Sequence, residues 1–337
     1  MRKLLWGILA LVLAPVGWAA GKPCELKLIG AMEVVVDHGA ILLPVRLEGH
    51  AGFMVLQLDA GLPWLYPEYL EELGLAGKTH RVEYDGSIGS QKVERQVTVK
   101  STVLDKANFT GWEYAVHPEE PGDPPRYAGY PVFGTLSSRF MNVVDMELNL
   151  AERRINLFNP NRCSTTPVYW GGAVTAVPLY ADATGLLLFQ MEVEGTLFEA
   201  SLNTTGPLSL ISDQAVKRYL GFDENSPGVE RETISGSNEI ASFRAMSLTA
   251  KGLNIRNTRV LIRGNSKCIP GGRQRGPVVC RDQFGLAPFS IGTDLMRKLR
   301  IYASVADKKI YFTRVEPAAA AATAGPDGAN SAPNAAQ

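Results

Sequence analysis

The sequence predicts an all-β protein of two similar lobes with short helices. One succession of apolar strands and glycine turns occurs twice along the chain, and the short apolar runs are separated by Gly, Asp and His without a helical period. The chain has 337 residues, 45% of them hydrophobic and 20% charged, which is enough material for two hydrophobic cores.

Residues 1–20 have the pattern of a secretory signal peptide. Met1–Lys3 is basic, Leu4–Val16 is apolar, and small residues suit cleavage near Ala19 or Ala20. An uncleaved anchor helix is the alternative, but this apolar run is shorter than the roughly 20 residues that span a bilayer. We therefore expect a mature protein that is periplasmic or secreted and has no membrane anchor.

Four cysteines follow this leader. An even number of cysteines in an exported chain favours two disulfides over a metal site, and the chain has no Cys-x-x-Cys pair. Three pairings are possible for four cysteines. Proximity in the sequence favours Cys268–Cys280, which leaves Cys24–Cys163.

The repeat is clearest at 52–75 and 195–222. Each copy has a glycine turn, an apolar strand, a polar turn at Asp59 or Asn203, a second apolar strand and a short helix that ends in Leu-Gly. In each copy a carboxylate or carboxamide follows a buried strand, and a glycine nearby allows a tight bend. This pattern is typical of a side chain held rigidly at the floor of a cleft.

Residues 58–62, Leu-Asp-Ala-Gly-Leu, and 202–206, Leu-Asn-Thr-Thr-Gly, resemble the Asp-Thr-Gly active-site segment of retropepsin-like aspartic proteases. The duplication resembles the pepsin-like arrangement, and the resemblance covers residues 30–160 and 174–314. It implies a two-lobed aspartic-protease fold in which each lobe is a retropepsin-like barrel. The turn residues that it implies are Ala60, Gly61, Thr204, Thr205 and Gly206.

Each turn departs from the family's pattern. The first keeps Asp59 and Gly61 but has Ala60 in place of Thr, whereas the second keeps Thr204 and has Asn203 in place of Asp. In the family this Thr hydrogen-bonds across the lobes and ties the turns together. Because Ala60 has no hydroxyl, we expect at most one side of that contact to survive.

The resemblance implies that Asp59 and Asn203 face each other as a degenerate catalytic pair. Aspartic proteolysis needs two carboxylates about 3 Å apart that share one proton. A carboxamide can hydrogen-bond its partner, but it does not exchange a proton in the working pH range. We therefore expect hydrolysis to be weak or absent. A simple turn-forming role for either residue is the alternative.

Two hairpins match the flap that closes over a bound peptide in this family. In residues 82–93, polar glycine turns lie between β-prone flanks. Residues 233–240 repeat the pattern in the second copy. The implied flap residues are Ser87, Ile88 and Gly89 in the first hairpin and Ser235 and Gly236 in the second. A plain surface hairpin is the alternative.

The closing half of each lobe also repeats. Residues 131–158 and 289–312 both run through apolar-Gly-Thr, a helical turn and two strands joined by a charged hairpin. The last residues lack large apolar groups, which predicts a disordered tail. The predicted domains are a signal peptide (1–20), an N-terminal lobe (24–160), a linker (161–173), a C-terminal lobe (174–315) and an Ala/Pro/Gly tail (316–337).

Composition and motifs narrow the function. The formal net charge is zero without a basic stripe, which argues against nucleic acid as a partner. The four histidines lack metal-ligand spacing and suit surface or turn positions, so we predict no metal and no cofactor.

The leading hypothesis is an exported, catalytically weak or inactive homologue that binds a peptide or protein segment in the inter-lobe cleft. One alternative is an active aspartic endopeptidase that uses Asp59, for instance by pairing the first lobes of two chains. The other is an envelope scaffold without a functional cleft.

Overall fold

The structure is a computed structural model. It describes residues 26–82, 87–88, 91–92, 94–118, 122–160, 168–182, 184–234, 238–264, 266–267, 281–282 and 286–315. The predicted signal peptide and the predicted disordered tail lie outside these ranges. So do Gly89, Ser235, Gly236 and all four cysteines, and with them the disulfide predictions Cys24–Cys163 and Cys268–Cys280.

Short strands make up most of the described chain. In the first half they are β1 (Leu28–Glu33), β2 (Val35–Asp37), β3 (Ala40–Leu47), β4 (His50–Gln57), β5 (Trp64–Leu65), β6 (His80–Arg81), β7 (Ser87–Ile88), β8 (Gln91–Lys92), β9 (Arg95–Val99), β10 (Thr102–Leu104), β11 (Ala107–Phe109), β12 (Trp112–Val116), β13 (Arg126–Tyr127), β14 (Tyr130–Ser137), β15 (Asp145–Asn149) and β16 (Arg154–Phe158).

In the second half they are β17 (Thr175–Pro178), β18 (Tyr180–Ala181), β19 (Leu187–Val193), β20 (Thr196–Leu202), β21 (Ser209–Ser212), β22 (Val229–Ile234), β23 (Asn238–Ala245), β24 (Leu248–Ala250), β25 (Leu253–Ile255), β26 (Thr258–Arg263), β27 (Ser266–Lys267), β28 (Arg281–Asp282), β29 (Phe289–Ile291), β30 (Leu299–Ser304) and β31 (Lys309–Arg314).

Helical segments are short. The α-helices are α1 (Asp213–Ala215) and α2 (Thr293–Met296), and a π-helical turn follows α1 at Val216–Leu220. The 3₁₀ turns are Pro67–Tyr69, Ala76–Lys78 and Ser138–Asn142. None of the helical segments in the described ranges has the length and apolar character that a membrane-spanning helix requires.

The two lobes have the same strand order. In lobe one the order across the sheet is β11-β10-β3-β4-β14-β5-β12-β9-β6, and in lobe two it is β25-β24-β19-β20-β29-β21-β26-β23-β22. Corresponding neighbours also run in the same direction: β4 with β14 and β20 with β29 are parallel. The predicted all-β fold of two similar lobes is confirmed.

A third sheet joins the lobes. Its order is β1-β16-β15-β30-β31-β17, so that three strands come from each half of the chain. The pair at its centre, β15 with β30, is antiparallel and places Met146 opposite Ala303 and Leu148 opposite Ile301. These side chains belong to one hydrophobic core that runs through both lobes. The lobes therefore form a continuous packed body.

Matching hairpin turns fix the strand register in each lobe. Glu48 and Gly49 join β3 to β4 with φ angles of 47° and 91°, and Glu194 and Gly195 join β19 to β20 with φ angles of 50° and 76°. Positive φ at both central residues is the geometry that suits the twist of two paired strands. The carboxylates are used alike: Glu48 accepts from Ser101 N at 2.9 Å and Glu194 from Ser247 N at 3.3 Å.

Candidate active-site turns

The predicted active-site turns lie between the lobes. β4 ends at Gln57 and β20 ends at Leu202, and each leads directly into its turn. Each strand lies beside a parallel neighbour, β14 or β29, and a residue just after that neighbour supports the turn. Ser138 N donates to Ala60 O at 2.9 Å in lobe one, and Thr293 N donates to Gly206 O at 3.1 Å in lobe two.

Thr204 ties the lobe-two turn to lobe one. Its Oγ1 donates to Leu56 O at 2.6 Å and accepts from Leu58 N at 3.0 Å. Its carbonyl oxygen accepts from Ile41 N at 2.9 Å. Thr204 is fully buried, so these three bonds hold the turns together without competition from water.

Three features let the lobes be matched residue by residue. Glu48 and Glu194 occupy the same place in their hairpins. Ala60 and Gly206 each accept the supporting bond from the neighbouring strand end. Tyr66 and Ser212 each precede a helical turn and donate a backbone bond, to Phe133 O at 2.9 Å and to Pro288 O at 2.8 Å. All three matches have the same separation along the chain, so the turns contain no insertion or deletion relative to each other.

This register corrects the predicted pair. Gln57 matches Asn203, Leu58 matches Thr204, and Asp59 matches Thr205. The sequence prediction placed Asp59 opposite Asn203, which is wrong by two residues. Because side chains alternate along a strand with a period of two, a shift of two residues preserves the apolar pattern. The pattern therefore cannot distinguish the two alignments.

The bonds of Thr204 support the same correction. They reach Leu56 and Leu58, the two residues on either side of Gln57. Thr204 itself follows Asn203, so Gln57 and Asn203 are both directly next to the residues that form this inter-lobe contact. Leu58 stands at the position that Thr204 occupies in the other lobe, and it has no hydroxyl. The inter-lobe contact is therefore one-sided, as expected. The residue at the matching position is Leu58, however, and not Ala60.

Asn203 is held inside its own turn. Only 6% of it is exposed. Its Oδ1 accepts from Thr205 N at 3.2 Å and from Thr205 Oγ1 at 3.0 Å. A Cβ on Gly206 would lie 2.5 Å from Asn203 Nδ2, so the glycine is needed to leave room for the amide. Gln57, in contrast, is only half-buried.

Gly61 allows the lobes to approach closely. A Cβ on Gly61 would lie 1.8 Å from the carbonyl oxygen of Thr184 in lobe two. The reciprocal contact occurs at Gly39, where a Cβ would lie 2.1 Å from Pro207 N. Ser138 Oγ lies within hydrogen-bond distance of Ala60 O, at 2.7 Å, and of Gly185 O, at 2.6 Å. Each turn is therefore covered on one side by a loop of the other lobe.

Both predicted flap hairpins are paired strands where the structure describes them. Ser87 pairs with Lys92 and Ile88 with Gln91 in lobe one. In lobe two β22 pairs with β23 from Val229–Phe243 to Ile234–Asn238.

An aromatic group beside the lobe-one turn was missed by sequence reasoning. Trp64 contacts Tyr66 and His117, with ring centroids 4.7 Å and 4.4 Å apart. His117 is half-buried, and its backbone N donates to Leu65 O at 2.8 Å. Trp64 lies in β5, Tyr66 follows that strand, and His117 follows β12. No local spacing connects them.

The geometry limits the chemistry of the matched pair. Both matched positions carry a carboxamide, which neither accepts nor releases a proton in the working pH range. Asp59 provides a carboxylate in the lobe-one turn, and it matches Thr205 rather than a second carboxylate. The carboxamides of Gln57 and Asn203 can donate and accept hydrogen bonds.

Comparisons with known proteins concern the fold. No protein-family model and no curated protein matches the chain. Among solved structures it is similar to basic 7S globulin from soybean, with 8% identity and a TM-score of 0.48 over 86% of this chain and 95% of that one. It is also similar to the aspartic proteinase from Irpex lacteus, with 11% identity and a TM-score of 0.47 over 85% of this chain and 97% of that one.

Proposed function

We propose that the chain is a catalytically inactive retropepsin-like homologue that binds a peptide or protein segment between its lobes and acts outside the cytoplasm after removal of its signal peptide. The observation that supports this is the match of Gln57 with Asn203. The residues on either side of Gln57 and the residue after Asn203 form the inter-lobe contact, so the supporting geometry is kept while both acidic groups are replaced.

Loss of both carboxylates removes the proton relay. A positioned general acid or base contributes about 10²–10⁴-fold in rate, and this pair supplies neither role. An active dimer through Asp59 is disfavoured by the internal pairing of the lobes. It would require breaking the three bonds of Thr204 and the β15–β30 pair.

Features around the lobe-one turn favour binding over a purely structural role. Gln57 is half-buried, so part of it is accessible to a ligand. The Gln57 amide offers both donors and an acceptor to a peptide backbone. Strand-like pairing with a hairpin edge is a common way to bind an extended peptide.

The test is to measure binding and hydrolysis together. The mature protein is incubated with a peptide library at pH 3 to 8, bound peptides are recovered, and cleavage products are identified by mass spectrometry. We expect recovered, uncut peptides whose binding falls at least tenfold in Gln57→Ala, while Glu71→Ala, an exposed control, binds normally.

Two outcomes would contradict the proposal. Cleavage by the wild-type protein that disappears in Asp59→Ala would identify an active peptidase. Absence of any peptide retained by the wild-type protein would favour the scaffold alternative.

A further inference from the structure

We propose that lobe two has a second binding site, for a small ligand that carries two or more phosphate or carboxylate groups. The site is a half-open surface pocket of about 510 Å³ lined by Asn254, Ile255 and the exposed residues Arg256, Lys298 and Arg314. It is independent of the proposed peptide binding. None of the described turn residues from 57 to 61 or from 203 to 206 lines it.

Strand pairing brings two of the cations together. Arg314 is the last residue of β31 and is paired with Leu299, the first residue of β30. Lys298 immediately precedes Leu299, and its carbonyl oxygen accepts from Val315 N at 2.9 Å. The backbone of Lys298, one residue before β30, is therefore held beside the end of β31, where Arg314 lies. Arg256 approaches the same pocket from the end of β25.

The charge around this pocket is one-sided. Arg256, Lys298 and Arg314 line it, and within the described ranges no Asp or Glu does. Like charges that line one pocket repel each other. An anion bound between them would relieve that repulsion. The planar guanidinium of Arg also forms paired hydrogen bonds with phosphate or carboxylate groups, which identifies the class of ligand.

A neighbouring pocket gives room for more than one anionic group. Its volume is about 760 Å³, and it shares Asn254 and Arg314 with the first. Backbone of Gly171, Gly172 and Gly252 lines it, so a ligand can approach the main chain closely. Both volumes fall in the range of about 300–1,000 Å³ that is usual for small-molecule sites. This size fits a ligand with several anionic groups better than a lone inorganic ion.

Calorimetric titration of the full mature protein tests the site. Pyrophosphate and citrate are the probes, and acetate is the single-charge control. We expect saturable binding of at least one probe, weakened by salt because exposed charges are screened. Arg314→Gln and Lys298→Gln should each raise the Kd at least tenfold. Lys309→Gln is the matched control, since Lys309 is exposed on β31 and is not part of either pocket lining.

The two probes distinguish the chemistry. Binding of pyrophosphate alone would show that the site accepts phosphate groups, and binding of citrate alone would show that it accepts carboxylates. Binding of both probes would show that it accepts either kind of group. Thermal unfolding of the ligand-free variants verifies that they are folded. Arg256→Gln should also weaken binding, and this residue comes from a separate segment, after β25. The proposal is overturned if neither probe binds saturably, if acetate binds as tightly, or if Lys309→Gln weakens binding as much as Arg314→Gln.

Discussion

Gln57 occupies in lobe one the position that Asn203 occupies in lobe two. The hairpins at Glu48 and Glu194 and the supporting bonds to Ala60 and Gly206 set this match. The internal duplication therefore places two carboxamides at related positions beside the inter-lobe contact of Thr204.

Restoring both carboxylates should restore some hydrolysis. In Gln57→Asp with Asn203→Asp, two carboxyl groups would stand at matched positions and could share one proton. We expect the double variant to cleave peptides at acidic pH in a fluorogenic assay, with inhibition by an aspartic-protease inhibitor. Each single variant should remain inert. Cleavage by Asn203→Asp alone would instead indicate that Asp59 partners it and that the corrected register is wrong.

Thr204→Val should destabilise the contact between the lobes. The substitution keeps the shape of the side chain but leaves Leu58 N and Leu56 O buried without their bonds. An unsatisfied buried polar group costs about 1–3 kcal/mol in the free energy of unfolding. Urea titration should show this loss, and Thr205→Val is the control because its hydroxyl bonds only within the turn. Equal losses in both variants would contradict a special role for Thr204.

The fold was predictable from the sequence, and the register of the site was not. Repetition in the order of the strands indicated two lobes without any need for exact alignment. The charged hairpins at Arg153 and Lys308 also matched correctly, since both residues have positive φ, 51° and 53°. Matching Asp59 to Asn203 depended on the resemblance of both turns to Asp-Thr-Gly. Gly61 instead makes a close contact with Thr184 and does not occupy the position of Gly206.

Some signals in the sequence were present but unused. The Glu-Gly pairs at Glu48 and Glu194 mark matching hairpin turns, and counting from them would have given the observed register. The contact of Trp64 with His117 had no such signal. Trp64 and His117 are distant in sequence, and the pairing of β5 with β12 brings them together.

Gly61→Ala should be severely destabilising. The new Cβ would lie 1.8 Å from Thr184 O, which is backbone, so the lobes must separate locally to accommodate it. Overpacking costs typically about 1–3 kcal/mol in the free energy of unfolding, and we expect the upper end of this range because the obstacle is backbone. Gly77→Ala is the control, because a Cβ there meets nothing within 4 Å. A Gly61→Ala protein with the melting temperature of Gly77→Ala would show that this close approach is absent in solution.

The ion pair between Glu147 and Arg300 should hold the inter-lobe sheet together. Arg300 Nε lies 2.5 Å from Glu147 Oε1, and only 1% of the glutamate side chain is exposed. Tyr169 OH donates to Glu147 Oε2 at 2.5 Å. Breaking a buried pair by removing one charge costs about 3–5 kcal/mol. We expect Glu147→Gln to lose stability on this scale in urea titration, whereas Glu152→Gln, on the exposed hairpin of the same strands, should not.

Asp294 should make stability fall as the pH rises through the acidic range. Burial raises the pKa of Asp294, and backbone and Ser209 hydrogen bonds oppose this only in part. The folded state therefore holds a proton at pH values where the unfolded chain, with a pKa of about 3.9, has released it. Stability is highest below the unfolded pKa and declines until the pH passes the raised folded pKa. Asp294→Asn should remove this decline, so that the variant gains stability relative to wild type between pH 3 and pH 7.

Asp223 provides a control of opposite sign. Its pKa is lowered by a backbone hydrogen bond from Asn225 and by Ser226, so its contribution is present above the unfolded pKa and disappears as the pH falls. Asp223→Asn should lose stability relative to wild type at pH 7 and approach it at pH 3. Denaturant titrations of both variants and wild type at pH 3 and pH 7 measure their free energies of unfolding. If both variants shift in the same direction, a general charge effect explains the data and the buried carboxyl of Asp294 does not.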